Sequence, residues 1–577
     1  MKKFTADFET NVDEKACRVW AWAVCEIGNP DNLTYGNSID GFMNWCANKK
    51  YNYVCYFHNL KFDGEYIFNY LLKNGYELIY NKKQRKDKSF TCLISSMGQF
   101  YTIEIYFTVR KNRVNKVTIY DSMKILNMSV DKIAKDFDLP IRKLELDYKE
   151  YREIGHELTS EEIDYIRNDV EIMSRALKIM FDLGLNKMTI GSCALHNYKE
   201  NIKNFGRYFP EIPLELDQDM RKSYKGGFTY LNPLYKGKEA EEGLVLDVNS
   251  LYPSVMQNEY LPYGKPIYFS GKYEYSFLYP LYIQRLSCSF ELKEGKIPTI
   301  QLKNNPSYNP TEYLSSSNGD IITLTLTNID LKLFFENYNI NFLSYDGGWK
   351  FKRVKGLFNE YINVWSNNKI EAKKNNNKSL YTISKLMLNS LYGKFSKNPM
   401  NRSKYPYLTD DGKVAYKLGE IEEGKGLYIP IGAFITSYAR EKTIRTSQAI
   451  RDYSLKKYGK DYYIYSDTDS CHLLKMEDEE LKSFLDIDEY RLGAWKVEST
   501  FKRGKYLRQK CYIELGYDDV MNVTVAGLPH KLHKYVTFEN FDIGFSLLAE
   551  DTSIDHKLTY KHVNGGVLLI DTDFTIK

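Results

Sequence analysis

"YIYSDTDS", Tyr463 to Ser470, decides how this chain is read. A β-prone run, Tyr462-Tyr463-Ile464-Tyr465, ends in two carboxylates, Asp467 and Asp469, one residue apart. Positions i and i+2 of a strand face the same way, so the two acids share a face or sit together at a hairpin tip. About 4 Å apart, at an effective dielectric near ~20, such charges repel by roughly 4 kcal/mol. The pair survives if a divalent cation lies between its members, or if one of them takes a proton. Taken alone, an Asp-x-Asp pair is as often a turn or a solvated surface. A third acid, Asp247, ends another apolar, strand-like run in "GLVLDVNSLYPS". Strand-end acids from two separate α/β segments can converge on one pair of Mg2+ ions, which clamps the attacking and leaving oxygens of a phosphoryl transfer.

A second acidic set lies upstream. "FTADFET" places Asp7 and Glu9 on one strand face, and "FHNLKFDGEY" adds Asp63 at the start of a helix. "YIRND" sets Tyr165 and Asp169 four apart, on a helical face turned away from the stripe Ile163, Ile166, Val170, Met173 and Leu177. That helix opens with a capping box, Thr159 and Glu162. Four acids and a tyrosine suit two-metal hydrolysis, with the tyrosine placing the attacking water. Singly, Asp63 reads equally well as a helix cap and Tyr165 as core; the ordered set carries the reading.

The third constellation is basic. In "KLMLNSLYGKF", Lys385, Asn389 and Tyr392 are spaced i, i+4, i+7 and share one helical face, while Ile383, Met387 and Leu391 pack on the other. An ammonium, an amide and an aromatic ring are groups that bind a triphosphate and stack on a base. Lys373 adds a second ammonium from the loop side. The competing reading is an ordinary amphipathic surface helix.

Composition bounds the rest. The 577 residues allow several domains, and 43% hydrophobic with 27% charged residues describe a globular protein. The sequence holds no apolar run long enough for a membrane span, and "TADFET" follows "MKKF" where a signal peptide needs an apolar stretch. Nine scattered cysteines without a CxxC pair predict free thiols in a reducing compartment and no structural zinc. The net charge of +5 is too small to establish nucleic-acid binding. "NKKQRKDK" (Asn81 to Lys88) reads as a solvated loop; "FKRGKYLRQK" (Phe501 to Lys510) alternates bases with apolar residues and suits a strand facing phosphates. Short β-type segments such as "IITLTLTNIDL" fill 260 to 357, a helical pair flanks "KKNNNKS", and "TDDGK" marks a hairpin turn.

Taken in order, these motifs resemble those of protein-primed family B DNA polymerases of the bacteriophage phi-29 type. "DFET", "NLKFD" and "YIRND" are similar to the three proofreading exonuclease motifs. "DVNSLYPS", "KLMLNSLYGKF" and "YSDTDS" are similar to polymerase motifs A, B and C, "KCY" (Lys510 to Tyr512) to a KxY motif, and "YKGG" (Tyr224 to Gly227) to a YxGG motif. The resemblance runs over almost the whole chain. It implies an α+β and α/β multidomain fold: a right hand of palm, fingers and thumb, an N-terminal RNase H-like 3′→5′ exonuclease domain, and two terminal-protein-region insertions. The implied limits are exonuclease 1–187, palm 188–259 and 428–529, insertions 260–357 and 396–427, fingers 358–395 and thumb 530–577.

By the same resemblance, Asp247, Asp467 and Asp469, with the Val248 carbonyl, hold the polymerase metals. Tyr252 is a steric gate against ribose, Lys373 and Lys385 hold the triphosphate, Tyr392 with Asn389 and Gly393 shapes the base-pair pocket, and Lys510 and Tyr512 steady the primer end. Asp7, Glu9, Asp63 and Asp169 hold the exonuclease metals, with Tyr165 and Lys143 in support. His58, Asn59, Phe62 and Ser122 hold the frayed strand. The implied cofactor is two Mg2+ ions per site, replaceable by Mn2+. The implied partners are primer-template DNA, dNTPs and a terminal priming protein, for a monomer or a heterodimer with that protein, off the membrane, in the cytoplasm of an infected bacterium. Processive strand displacement in replicating a linear viral genome is implied as well. Two rivals, a nuclease that merely grips DNA and a non-catalytic binding scaffold, leave Asp247, Asp469 and Lys385 without a joint role.

Overall fold

The computed structural model describes residues 2–48, 50–146, 150–303 and 305–577. Two eight-stranded sheets organise the chain. The first is N-terminal and mixed. Strand Lys2–Thr10 lies between Val19–Glu26, antiparallel to it, and Tyr53–Phe57, parallel to it. Strand Tyr53–Phe57 is buried throughout, as a strand covered on both faces must be. Its Val54 and Tyr56 face the core that includes helix Ser160–Asp182, and Cys55 and Phe57 face the core that includes helix Leu60–Lys73. The expected capping box at Thr159 and Glu162 is present.

The second sheet is antiparallel, in the order Met521–Val525, Cys511–Gly516, Trp495–Arg508, Gly243–Val248, Ser470–Leu474, Tyr463–Asp467, Thr229–Leu231, with an eighth strand, Glu239–Ala240, pairing with Trp495–Arg508 off this path. Helix Ile429–Tyr458 packs on it, started by Pro430 and ended at Gly459, whose φ of 67° suits a glycine C-cap. The sequence reading had not separated this long helix from the α/β stretch around it.

Between 260 and 357 lies a four-stranded antiparallel sheet, Leu261–Phe269, Tyr338–Val354, Leu281–Leu292 and Ile322–Thr327. One expectation fails there: in "IITLTLTNIDL" only the first part is strand. The Thr327 hydroxyl accepts from the Asp330 N–H and starts helix Asn328–Asn337. Helices Asn359–Lys374 and Lys378–Phe395 form the expected pair around "KKNNNKS". Strands Met400–Leu408 and Val414–Glu423 form the hairpin around "TDDGK". This hairpin and a C-terminal one, Lys557–Val563 with Gly566–Thr572, both pack into the N-terminal core, which gathers Tyr405, Val414, Val563, Val567 and Leu568. All nine cysteines are free and buried. Lysines of the "NKKQRKDK" loop pair with Glu104 and Glu77. Among the described residues no helix is long and apolar enough to cross a membrane.

Candidate active sites

The antiparallel sheet brings the first acidic set together. Asp247 is paired across the sheet with Ser470 on one side and Lys496 on the other. The next residue, Val248, is buried and donates its N–H to the Asp469 carbonyl at 2.8 Å. Thr468 and Asp469 form the tip between strands Tyr463–Asp467 and Ser470–Leu474, so of the two arrangements open to "SDTDS" the hairpin tip is the one adopted. Thr468 takes a left-handed φ of 61° there. A Cβ on Gly227 would lie 2.4 Å from the Thr468 hydroxyl, which explains a glycine in "YKGG".

Burial, then Glu498 and Asp469, push the Asp247 carboxyl up to about 7, against Lys496 and Lys385. Asp469 is raised by burial, Asp467 and Glu498. Asp467 is turned to other partners: Lys510 Nζ donates to its two oxygens at 2.7 and 3.0 Å, Thr229 Oγ1 at 3.2 Å and the Tyr465 hydroxyl at 3.3 Å. The three acids stand together at one end of the sheet: Asp469 raises Asp247, Asp467 raises Asp469, and Lys510 pairs with Asp467. Tyr512 packs against Tyr465 and Tyr506 at 5.3 and 5.4 Å between ring centroids.

The helix pair supplies the cations. Lys385 and Asn389 are exposed on one face, while Ile383, Met387 and Leu391 are buried on the other. Tyr392 stacks on Tyr252 with centroids 4.1 Å apart and planes at 25°, and a Cβ on the exposed Gly393 beside it would meet no atom within 4 Å. Lys373 and Lys385 line one cleft of about 590 Å³. Lys373 lies 5.3 Å from the Tyr490 ring centroid. A lysine the sequence reading missed, Lys369, lies within the field of Asp247: burial and then Lys385, Lys496 and Lys373 lower its pKa, and Asp247 opposes them. Lys369 is i−4 from Lys373 on the same helix, a spacing that could have flagged it. Glu498 was missed too; it stands where the pairing of Gly243–Val248 with Trp495–Arg508 shifts register between Val245 and Leu246, and no local pattern announces that.

The second acidic set converges in a cleft of about 360 Å³ in the N-terminal domain, lined by Asp7, Glu9, Asp63, Asp169, His58, Asn59, Phe62, Lys143 and Tyr165. Burial, then Asp169, raise Asp7 to about 7; burial, Asp7 and Asp169 raise Glu9 well above the carboxylate range; burial and Asp7 do the same to Asp63. Asp169 is raised by burial even though Lys143 pairs with it. Among the described residues, Asp63 Oδ1 and Asp169 Oδ1 are buried without a hydrogen-bond partner. No three acidic, histidine or cysteine side chains among these residues are drawn into a ready-made cation cage. Orphaned carboxylate oxygens among like charges nevertheless form a donor set that suits hard divalent cations.

Several expectations are corrected here. Asp63 stands in the first turn of helix Leu60–Lys73, as expected, and the competing reading of it as the cap falls. The cap position is Asn59, at φ 72°, and the Asp121 carboxylate accepts the Asn59 and Leu60 N–H groups at 3.1 and 3.3 Å. Sequence gave no sign of Asp121 in this role, because it stands 62 residues away. Tyr165 is only 2% exposed and packs with Trp20, Ile166 and Val170 while lining the cleft, so it is not on an open face. Ser122 is fully buried and donates to the Phe57 carbonyl at 2.9 Å. His58 bridges the Ser122 hydroxyl at 3.0 Å and the Met128 carbonyl at 2.7 Å, and burial keeps its pKa low.

A family model described as DNA polymerase type B, organellar and viral, matches residues 46–484. The chain is 45% identical to the DNA polymerase of Bacillus phage Nf over 595 aligned positions, covering all of both chains. It is 43% identical to that of Bacillus phage phi29, covering 100% of this chain and 99% of the other. It is 30% identical to that of Streptococcus phage Cp-1, covering 100% and 98%. It superposes on the solved structure of Phi29 DNA polymerase complexed with primer-template DNA and incoming nucleotide substrates with a TM-score of 0.92, at 43% identity and full coverage of both chains. The post-translocation binary complex of Phi29 DNA polymerase with primer-template DNA gives 0.91 at 42% identity, again over both full chains.

Proposed function

Because this chain belongs to the organellar and viral type B DNA polymerases, and among them to the phi29 type, we propose that it replicates a linear phage genome by protein-primed, processive, strand-displacing synthesis, with 3′→5′ proofreading. The carrying observation is the meeting of Asp247 and Asp469 at the end of one sheet, opposite the helix that bears Lys385 and Tyr392.

Asp247 and Asp469, with Asp467 and the Val248 carbonyl beside them, would hold Mg2+ at the polymerase site, where it would supply charge stabilisation for the oxygens that exchange at phosphorus. Lys385 and Lys373, which line one cleft, neutralise the triphosphate, with Lys369 one helical turn before Lys373 in support. The stacked Tyr252 and Tyr392 present a flat apolar floor to the nucleotide, and Tyr252 leaves no room for a 2′-hydroxyl. Lys510, tied to Asp467, and Tyr512 support the primer strand.

In the N-terminal cleft Asp7, Glu9, Asp63 and Asp169 would hold the corresponding cations, Lys143 offsets Asp169, and Tyr165 would orient water. Asn59 and Phe62 grip the unpaired end. The other partner is a terminal protein whose hydroxyl starts the chain, and the site of action is the cytoplasm of the infected cell.

Extension of a primed single-stranded circle with dNTPs and Mg2+ alone tests this reading. Products longer than the circle are expected. Asp469→Ala should abolish extension and leave 3′ trimming, and the pair Asp7→Ala and Glu9→Ala should do the reverse. Absence of incorporation by the intact chain would overturn the reading and leave its two rivals, separated by whether the chain still trims 3′ ends.

A further inference from the structure

The C-terminal hairpin is the far end of the chain, yet its tip is seated in the N-terminal domain. A Cβ on Gly565 would lie 2.1 Å from the Cys17 carbonyl oxygen, and one on Gly566 would lie 2.4 Å from the Tyr66 ring. Gly565 also needs its φ of +106°, so glycine permits both the turn and the close approach. The Tyr66 hydroxyl donates to the Val567 carbonyl at 2.6 Å, and Lys561 pairs with Glu14 at 2.6 Å.

This docking brings Tyr560 to the wall of the N-terminal carboxylate cleft, where it lines the same cavity as Asp63 and Phe62. Asn59 Nδ2 donates to the Tyr560 hydroxyl at 3.3 Å. The Phe62 ring centroid is 6.2 Å from that of Tyr560, and the Lys61 ammonium is 5.0 Å from it. Asn59 is itself fixed by Asp121, so the hydroxyl has a rigid partner. Tyr560 is half-buried, as is Phe62, so both rings keep surface for a ligand.

We infer that Tyr560 is a strand-positioning residue of the N-terminal site: with Phe62 it makes an aromatic wall on which the base of an unpaired 3′ nucleotide stacks. The inference rests on the nuclease reading above. Stacking on a ring face accepts every base, which suits a site that must trim any sequence. Lys61 stands beside the wall, where a strand carries its phosphates. Since Tyr560 comes from the opposite end of the chain, the strand-gripping part of this site is complete only with the C-terminal hairpin docked.

The test is excision of the 3′ nucleotide from a single-stranded oligonucleotide in Mg2+ by the full chain, with Tyr560→Ala, Tyr560→Phe and the Asp7→Ala, Glu9→Ala pair alongside. Loss of one stacked base predicts a KM about tenfold higher for Tyr560→Ala, with a much smaller fall in kcat. Tyr560→Phe, which keeps the ring, is expected near the wild-type KM. A wild-type KM for Tyr560→Ala, in a preparation whose excision depends on Asp7 and Glu9, would overturn the inference and leave the nuclease reading standing. No excision by the unaltered chain would remove the nuclease reading and this inference with it. Equal losses of excision, primer extension and melting temperature in both Tyr560 variants would make the residue a packing element and overturn the inference.

Discussion

Asp247 shows how a single carboxylate couples the stability of this protein to pH. Burial, Glu498 and Asp469 move its pKa from 3.8 to about 7. Between those values the folded chain binds more protons than the unfolded one at this group, so the group's contribution to stability falls as pH rises through that interval and stays low above it. Removing the charge reverses the penalty. Asp247→Asn is expected to raise the melting temperature of EDTA-treated protein most near pH ~8, where the wild-type carboxylate is ionised, and clearly less near pH ~5, where only part of the loss between 3.8 and about 7 has accrued. Mg2+ should then raise the melting temperature of the wild type at the higher pH and that of the variant much less. Thermal melts at the two pH values, with and without Mg2+, check both statements; a variant that melts lower than wild type at the higher pH in EDTA would contradict the crowding at this site.

The helix pair is where local pattern and tertiary placement part company. The stripe Lys385, Asn389, Tyr392 was legible because a helical period is a property of neighbouring residues, and the buried Ile383, Met387 and Leu391 bear it out. The part of Lys369 was not legible, because which turn of helix Asn359–Lys374 faces Asp247 depends on how the two helices pack. The sequence reading names Lys373, which lines the cleft with Lys385, whereas Lys369, one turn earlier, is more buried and has its pKa lowered by burial and by Lys385, Lys496 and Lys373, with Asp247 opposing. Lys373→Ala is therefore expected to raise the KM for dNTP by about tenfold or more, as loss of a charged hydrogen-bond donor to phosphate does, and Lys369→Ala by clearly less. Steady-state extension kinetics decide between them, and the reverse order would give the role to Lys369. Similar reasons governed the other elements. The hairpin ending in Asp467 and the capping box at Thr159 are written in adjacent residues. The Asp121 cap on helix Leu60–Lys73 and the placement of Glu498 join segments far apart in the chain, and no short-range pattern encodes them.

At the scale of the whole molecule, a buried ion pair ties helix Asn328–Asn337 to the hairpin that carries Asp467 and Asp469. Arg440, on helix Ile429–Tyr458, donates to Asp330 from Nε at 3.2 Å and from Nη2 at 2.5 Å. Its Nη1 donates to the Lys225 and Gly226 carbonyls at 2.8 and 2.7 Å, in "YKGG". Two residues on, the Phe228 carbonyl accepts the Thr468 N–H at 2.7 Å, so the chain of contacts ends between Asp467 and Asp469. Ser437 adds a donor to Asp330 at 2.7 Å, and Arg440 and Asp330 are 3% and 9% exposed. Breaking such a pair strands a buried charge, which costs about 3–5 kcal/mol. Arg440→Met is expected to lose that much stability near neutral pH by chemical denaturation. The loss should shrink in acid. Despite burial, Arg440 holds the Asp330 carboxyl below its ordinary 3.8, so its stabilising contribution is complete above that value and is lost as pH falls through the folded pKa. In the variant the stranded carboxyl takes up a proton instead, and acid relieves it. Primer extension at a temperature where the variant remains folded should fall more than 3′ trimming does, because the loosened "YKGG" segment supports Thr468 and not the N-terminal cleft. Equal losses of the two activities would mean that Arg440 only holds the fold together.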